Sequence, residues 1–318
     1  MQIILFLIIS FAISWTVAGR LYTAGGFEGA GPTAGIYLFV MMTGPAIAAL
    51  IMTLIYDRDK FFSSLGLSGR SPLKVISWSV IGWVVAIVLV TYAALIAALA
   101  GPGFADPAAS MAAQLEAGLA AQNIDLEELP MSMEMLVMIQ FAVNLPLGIL
   151  INTFLLTFTE ELGWRGWLQP RLAFLGFWPM CLLTGLIWGI WHAPIIVMGY
   201  NYPGLPVLGP ILMTVFCILL TPYVALMRER GLTWAAGAFH GAINAVAGVS
   251  LLFIASSDGW VWNGIMGLGG FIVMAVGCAI IWWWRNNNPA KPISPVREAI
   301  PATSSPNDPP TPDTSSSG

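Results

Sequence analysis

Two acidic residues stand side by side at Glu160 and Glu161, with Arg165 one helical turn beyond. Trp188 and His192 follow, then His240 and Asn244, each pair four residues apart. A carboxylate, two imidazoles and a carboxamide are the parts of a water-activating hydrolytic site. A carboxyl group withdrawn from water holds its proton more readily and can serve as a general base. Imidazole and carboxamide N–H groups can hold a developing oxyanion. His192 and His240 are the only two histidines in 318 residues, so their placement carries most of the functional question.

On a helix, residues four apart share a face. Glu161 and Arg165 can therefore pair, and the pair offsets part of the cost of burying either charge. Glu160 is turned about 100° away and is neutralised less directly. Trp188 and His192 share a face, as do His240 and Asn244. Pro194 weakens the helix just after His192, because its ring displaces the bond to the carbonyl of Ile190. Gly241, Ala242 and Ala245 are small enough for a second helix to approach His240 closely. Glu160, His192 and His240 could alternatively ligate zinc and leave a fourth position for water. The sequence has no HExxH turn, and an oxyanion role needs His240 free, so the metal-free scheme is preferred.

The elements that must carry these residues follow from composition. Hydrophobic residues make up 58% of the chain and charged residues 9%, and mean hydropathy is +0.81. A soluble domain carries about 25% charged residues, so the chain reads as an all-α polytopic membrane protein. Net charge is −4, which leaves no basic footprint for nucleic acid. Cys181, Cys217 and Cys278 lie in apolar stretches without CxxC spacing and read as small buried hydrophobes.

Apolar runs of about 20 residues predict eight spans, near 2–18, 34–56, 75–99, 135–168, 178–198, 207–227, 233–255 and 261–284. Pro146 divides the long fourth run, with 131–145 as a lead-in and the crossing proper after the proline. The fourth span is expected to stop at Leu168, before Pro170. The first run lacks a basic stretch before it and reads as a retained helix rather than a signal peptide. Eleven of the twelve basic residues fall in alternate loops or the tail, and only Arg20 falls on the other side. The positive-inside rule then puts both termini in the cytoplasm. The run Trp282-Trp283-Trp284-Arg285 anchors the end of the last span. Residues 1–284 form the transmembrane domain, with the chemistry in about 135–255, and 285–318 form a disordered cytoplasmic tail. The segment 100–134 carries acids but no base; its residues 108–121 predict a short amphipathic surface helix.

At about 1.5 Å per residue, Glu160, His192, His240 and Asn244 fall within about ten ångströms of one another in depth. Intramembrane ionisable groups usually face a cavity or one another. One site in the cytoplasmic half of the membrane is the expectation.

In this order, on successive helices, Glu160-Glu161-x-x-x-Arg165, Trp188-x-x-x-His192 and His240-x-x-x-Asn244 resemble the CAAX prenyl endopeptidase type II family, also called CPBP. The stretch Glu160 to Pro170, EELGWRGWLQP, is similar to that family's first motif beyond its charged positions. The resemblance implies an eight-helix intramembrane endopeptidase, in the plasma or inner membrane, whose site opens toward the cytoplasm. By the same resemblance Glu160 and His192 would activate water, and His240 and Asn244 would stabilise the oxyanion. Glu161 and Arg165 would support the site's shape. The substrate would be a membrane-anchored or lipidated peptide or protein. The family usually has Phe where this chain has Trp188, a change expected to alter the wall of the site rather than its water chemistry. A non-catalytic immunity or scaffold protein of the same family is the alternative. A transporter is less favoured, since no internal repeat is visible.

Overall fold

The structure, a computed structural model, describes residues 1–120, 131–256 and 259–288. Among them it is all helical apart from turns and one isolated bridge between Phe104 and Ile254. The helices are α1 (Gln2–Thr23), α2 (Ala34–Met42), α3 (Gly44–Tyr56), α4 (Pro72–Ala100), the short α5 (Pro107–Ala120), α6 (Met133–Leu175), α7 (Phe177–Val197), α8 (Leu208–Ser250) and α9 (Leu268–Asn287). Seven helical runs among the described residues are long and apolar enough to cross a membrane. One of these is α8, which is broken at Gly231 and Leu232; the latter has φ 68°. The ends of its two arms lie together: Gly209 packs on Tyr202, Leu251 on Gly264, and the Tyr202 hydroxyl donates to Met266 O at 2.8 Å. The chain therefore reverses at the break, and the two arms supply two of the eight expected passes. Thr233 holds the reversal, its N–H donating to Gly66 O and its hydroxyl to Leu65 O.

Four boundaries differ from the sequence reading. Pro146 does not separate a lead-in from the crossing. The helix capped by Ser132 runs on through a π turn at Gln140–Asn144, which absorbs the bond the proline cannot make. Pro170 likewise does not end the helix. It sits where a twelve-residue π segment, Thr157–Leu168, returns to α winding. The last span starts at Leu268 rather than 261, after 3-10 turns at Trp260–Trp262 and Gly264–Met266. Gly264 has φ 49°, which glycine adopts at little cost. α9 also continues to Asn287, so 285–287 are helical; residues 289–318 lie outside the described residues. The amphipathic helix expected at 108–121 is α5, its start capped by Asp106, which accepts from Ala108 N at 2.7 Å. Asp125, Glu127 and Glu128 lie outside the described residues.

Glycines set the close approaches that position the site. A Cβ on Gly189 of α7 would lie 2.5 Å from Thr214 Cα on the first arm of α8. One on Gly241, in the second arm, would lie 2.5 Å from the backbone of Asn152 and Thr153 in α6. Small residues at such crossings replace the missing hydrophobic drive within a bilayer with direct contact. Gly241→Ala is expected to cost about 1–3 kcal/mol, since backbone rather than a movable side chain resists the added methyl. Thermal unfolding in detergent micelles checks this; an unchanged midpoint would show that the helices are not in tight contact there.

Two ends of the bundle can be told apart. At one, Asp57 pairs with Arg171, Glu229 with Arg285, and Arg70 donates to Glu229 O at 2.6 Å. Arg230 donates to Asn288 O at 2.7 Å. This basic end gathers the loops that carry most of the chain's cations. At the other end, Ala105 N donates to Phe253 O, Ala255 N to Gly103 O, and Asn263 Nδ2 to Asn201 O.

Candidate functional site

The π winding of Thr157–Leu168 decides where the two acids point. An i to i+5 helix has more residues per turn than an α-helix, so neighbouring side chains diverge by less than 100°. Glu160 and Glu161 therefore both turn toward α7 and α8, instead of the two separate faces expected of an α-helix. Glu160 Oε2 accepts from Trp188 Nε1 at 2.8 Å. Glu161 Oε1 lies 2.9 Å from His240 Nδ1. Glu161 Oε2 lies 3.4 Å from Arg165 Nε, completing the expected i, i+4 pair. The sequence reading had Glu161 only as support; its contact with His240 makes it a direct partner of the site.

Trp188 is the hub. The guanidinium of Arg165 sits over its ring at 4.5 Å, and the ring's centroid lies 5.0 Å from that of His240 and 5.7 Å from that of His192. Its carbonyl is 2.9 Å from His192 Nδ1. A carbonyl only accepts, so His192 carries a proton on Nδ1 and presents Nε2 as the free ring nitrogen. A carboxylate on Nδ1 fixes His240 in the same way, with its own Nε2 left over. Cys217 Sγ is 3.9 Å from His192 Nδ1. Glu160, Glu161, Arg165, Trp188, His192 and His240 are all buried.

Glu160, Trp188, His192, His240 and Asn244 line one chamber of about 630 Å3. Every sequence-nominated residue except Glu161 and Arg165 is thus on its wall, and those two stand directly behind it. The sequence reading missed Asn152 of α6, Asn201 in the loop after α7, and Asn263 in the turns before α9, all of which line the same space. Nothing in their local sequence marks them; only Asn263 is brought in by the turns that replaced the expected start of the last helix. Glu160 is the one acid among the lining residues.

Trp188 lines the chamber wall and also donates to Glu160, a contact that phenylalanine could not make. A charge-assisted hydrogen bond is worth about 1.5–3 kcal/mol. Trp188→Phe, which keeps a ring but removes the donor, is expected to slow hydrolysis of a quenched peptide by about tenfold with little change in KM. Equal effects on kcat and KM would assign Trp188 to substrate contact instead.

Among the described residues, no three His, Cys, Asp or Glu side chains come close enough together to hold one ion.

These features define a polytopic helical membrane protein with a carboxylate–imidazole chamber inside its bundle. Residues 142–246 match the family model described as Type II CAAX prenyl endopeptidase Rce1-like. The matched stretch runs from α6 through the second arm of α8 and contains every residue nominated above. No curated protein matches the chain.

Proposed function

We propose that this protein is an intramembrane endopeptidase that hydrolyses a peptide bond with water activated by Glu160 and His192, without a metal. The observation that carries the reading is the pairing of two imidazoles, each with Nδ1 engaged, around the one acid that lines the chamber. Glu160 has one oxygen held by Trp188 and the other left to take a proton from water. His192 Nε2 is a second acceptor that orients the same water. The tetrahedral intermediate carries negative charge on the former carbonyl oxygen. His240, in its doubly protonated form, offers Nε2–H to that oxygen while Glu161 balances the imidazolium; the Asn244 carboxamide offers a further N–H. Preorganised donors of this kind are worth about 2.7–4 kcal/mol each in acyl-transfer enzymes. The proton on Glu160 then passes to the leaving amine, as microscopic reversibility requires. The substrate class is a membrane-anchored or lipidated peptide or protein, in the plasma or inner membrane.

Screening the purified protein against a quenched peptide library, with His192→Ala and His240→Ala as controls, tests this. Cleavage by the parent and none by either variant is expected. If both variants instead preserve the cellular phenotype of the parent, the non-catalytic immunity or scaffold role is correct. A transporter would give no cleavage with any form.

A further inference from the structure

The chamber has a direction. Its floor is formed by Glu160, Trp188 and His240, and every further lining residue lies toward the end of the bundle away from the basic loops. On α7 the lining runs from Trp188 to His192 and Ile195, and on the second arm of α8 from His240 to Asn244 and Gly248, in both cases toward that end. On α2 the lining starts at Gly35, beside the first turn of that helix. The rim is the loop residues Tyr200 and Asn201 and the turn holding Asn263 and Met266. Gly35, Tyr200, Asn244 and Gly248 are exposed.

The basic end is closed. Below Glu160, Trp164, Arg165, Trp167 and Leu168 are fully buried, with Phe6 stacked on Trp167 at 4.7 Å. The loop at Leu65–Leu67 covers them, bound to Thr233 and Trp234, and Arg228 Nε donates to Arg165 O at 2.9 Å. A peptide therefore has no way in past the cationic loops.

The positive-inside rule puts those loops in the cytoplasm. We infer that the site is reached from the exoplasmic face of the membrane, the reverse of the cytoplasmic opening expected from the sequence. Its substrate is then a peptide segment displayed on that face, not the cytoplasmic tail of a lipidated protein. Apart from Glu160, His192 and His240, the lining offers no charged side chain, and its polar groups include the carboxamides of Asn152, Asn201, Asn244 and Asn263. Carboxamides pair with peptide backbone, so an uncharged, extended segment fits this space. The nature of the substrate rests on the hydrolytic reading above; the face of access does not.

Single cysteines in the full chain, with Cys181, Cys217 and Cys278 replaced by serine or alanine, separate the two. Gly248→Cys reports the chamber, since a Cβ there meets nothing within 4 Å. Val207→Cys reports the loop beside the rim, where Val207 is 80% exposed. Lys60→Cys reports the basic end. In right-side-out vesicles a membrane-impermeant maleimide should label Val207→Cys and Gly248→Cys fully and Lys60→Cys not at all. Inside-out vesicles should give the reverse. Labelling of Gly248→Cys together with Lys60→Cys overturns the inference. So does failure of Gly248→Cys to label in either vesicle when the detergent-solubilised variant reacts, because the chamber is then closed to both faces. Cleavage measured in detergent, where both faces are open, tests hydrolysis independently. Cleavage with the reverse labelling sinks only the exoplasmic access, and correct labelling without cleavage sinks only the protease.

Discussion

Glu160→Gln is expected to abolish peptide hydrolysis while leaving a protein that inserts and folds as the parent does. The substitution is close to isosteric, and the amide oxygen can still accept from Trp188 Nε1, which holds the carboxylate at 2.8 Å. What disappears is the ability to take a proton from water. General-base catalysis contributes about 10²–10⁴-fold, so residual turnover should fall by about that factor. Stability should not fall with it. Glu160 is 3% exposed, and a neutral amide costs less than a carboxylate to bury. Kinetics of the library-selected peptide and thermal unfolding of the same preparations give both readouts. Full activity in Glu160→Gln would remove the mechanism. Lost activity with a lowered melting midpoint would assign Glu160 to structure.

What could be read from the sequence was which polar residues gather in one chamber, because so few of them lie inside apolar runs. In a chain with two histidines, both inside apolar runs and four residues from Trp188 and Asn244, few other arrangements were open. The span count was readable too, since a membrane imposes a length on each apolar run. The details of winding were not. An α-helical wheel separates Glu160 from Glu161, and only the π segment brings both into the site; that segment has no signature beyond its threonines and glycines. The direction of the chamber was equally hidden. Depth along a helix can be counted from a sequence, yet depth does not say which end of the bundle is closed. That depends on the loop at Leu65–Leu67 folding under α8 and on the turns before α9 standing at the rim of the opposite end.

Arg165→Met is expected to be the most destabilising single change near the site. The guanidinium is fully buried, with the Trp188 face at 4.5 Å and Glu161 at 3.4 Å as its compensation. Among the described residues its nitrogens make no hydrogen bond, so its role is the charge it sets beside Glu161. Removing one partner of a buried ion pair costs about 3–5 kcal/mol, because the other is left uncompensated. Glu161→Leu alone strands Arg165 by the same reasoning. The double variant, Glu161→Leu with Arg165→Met, buries neither charge and should recover most of the lost stability. It should not recover activity. Glu161 accepts from His240 Nδ1 and balances the imidazolium that donates to the oxyanion, and loss of one oxyanion donor costs about 10²–10³ in kcat. A double-mutant cycle on unfolding free energy, run beside the same cycle on hydrolysis, separates the two roles. Strong coupling in stability with no recovery of hydrolysis identifies Glu161 as the residue that joins the ion pair to the chemistry. Recovery of both would reduce the pair to scaffolding and leave His240 oriented by the wall around it.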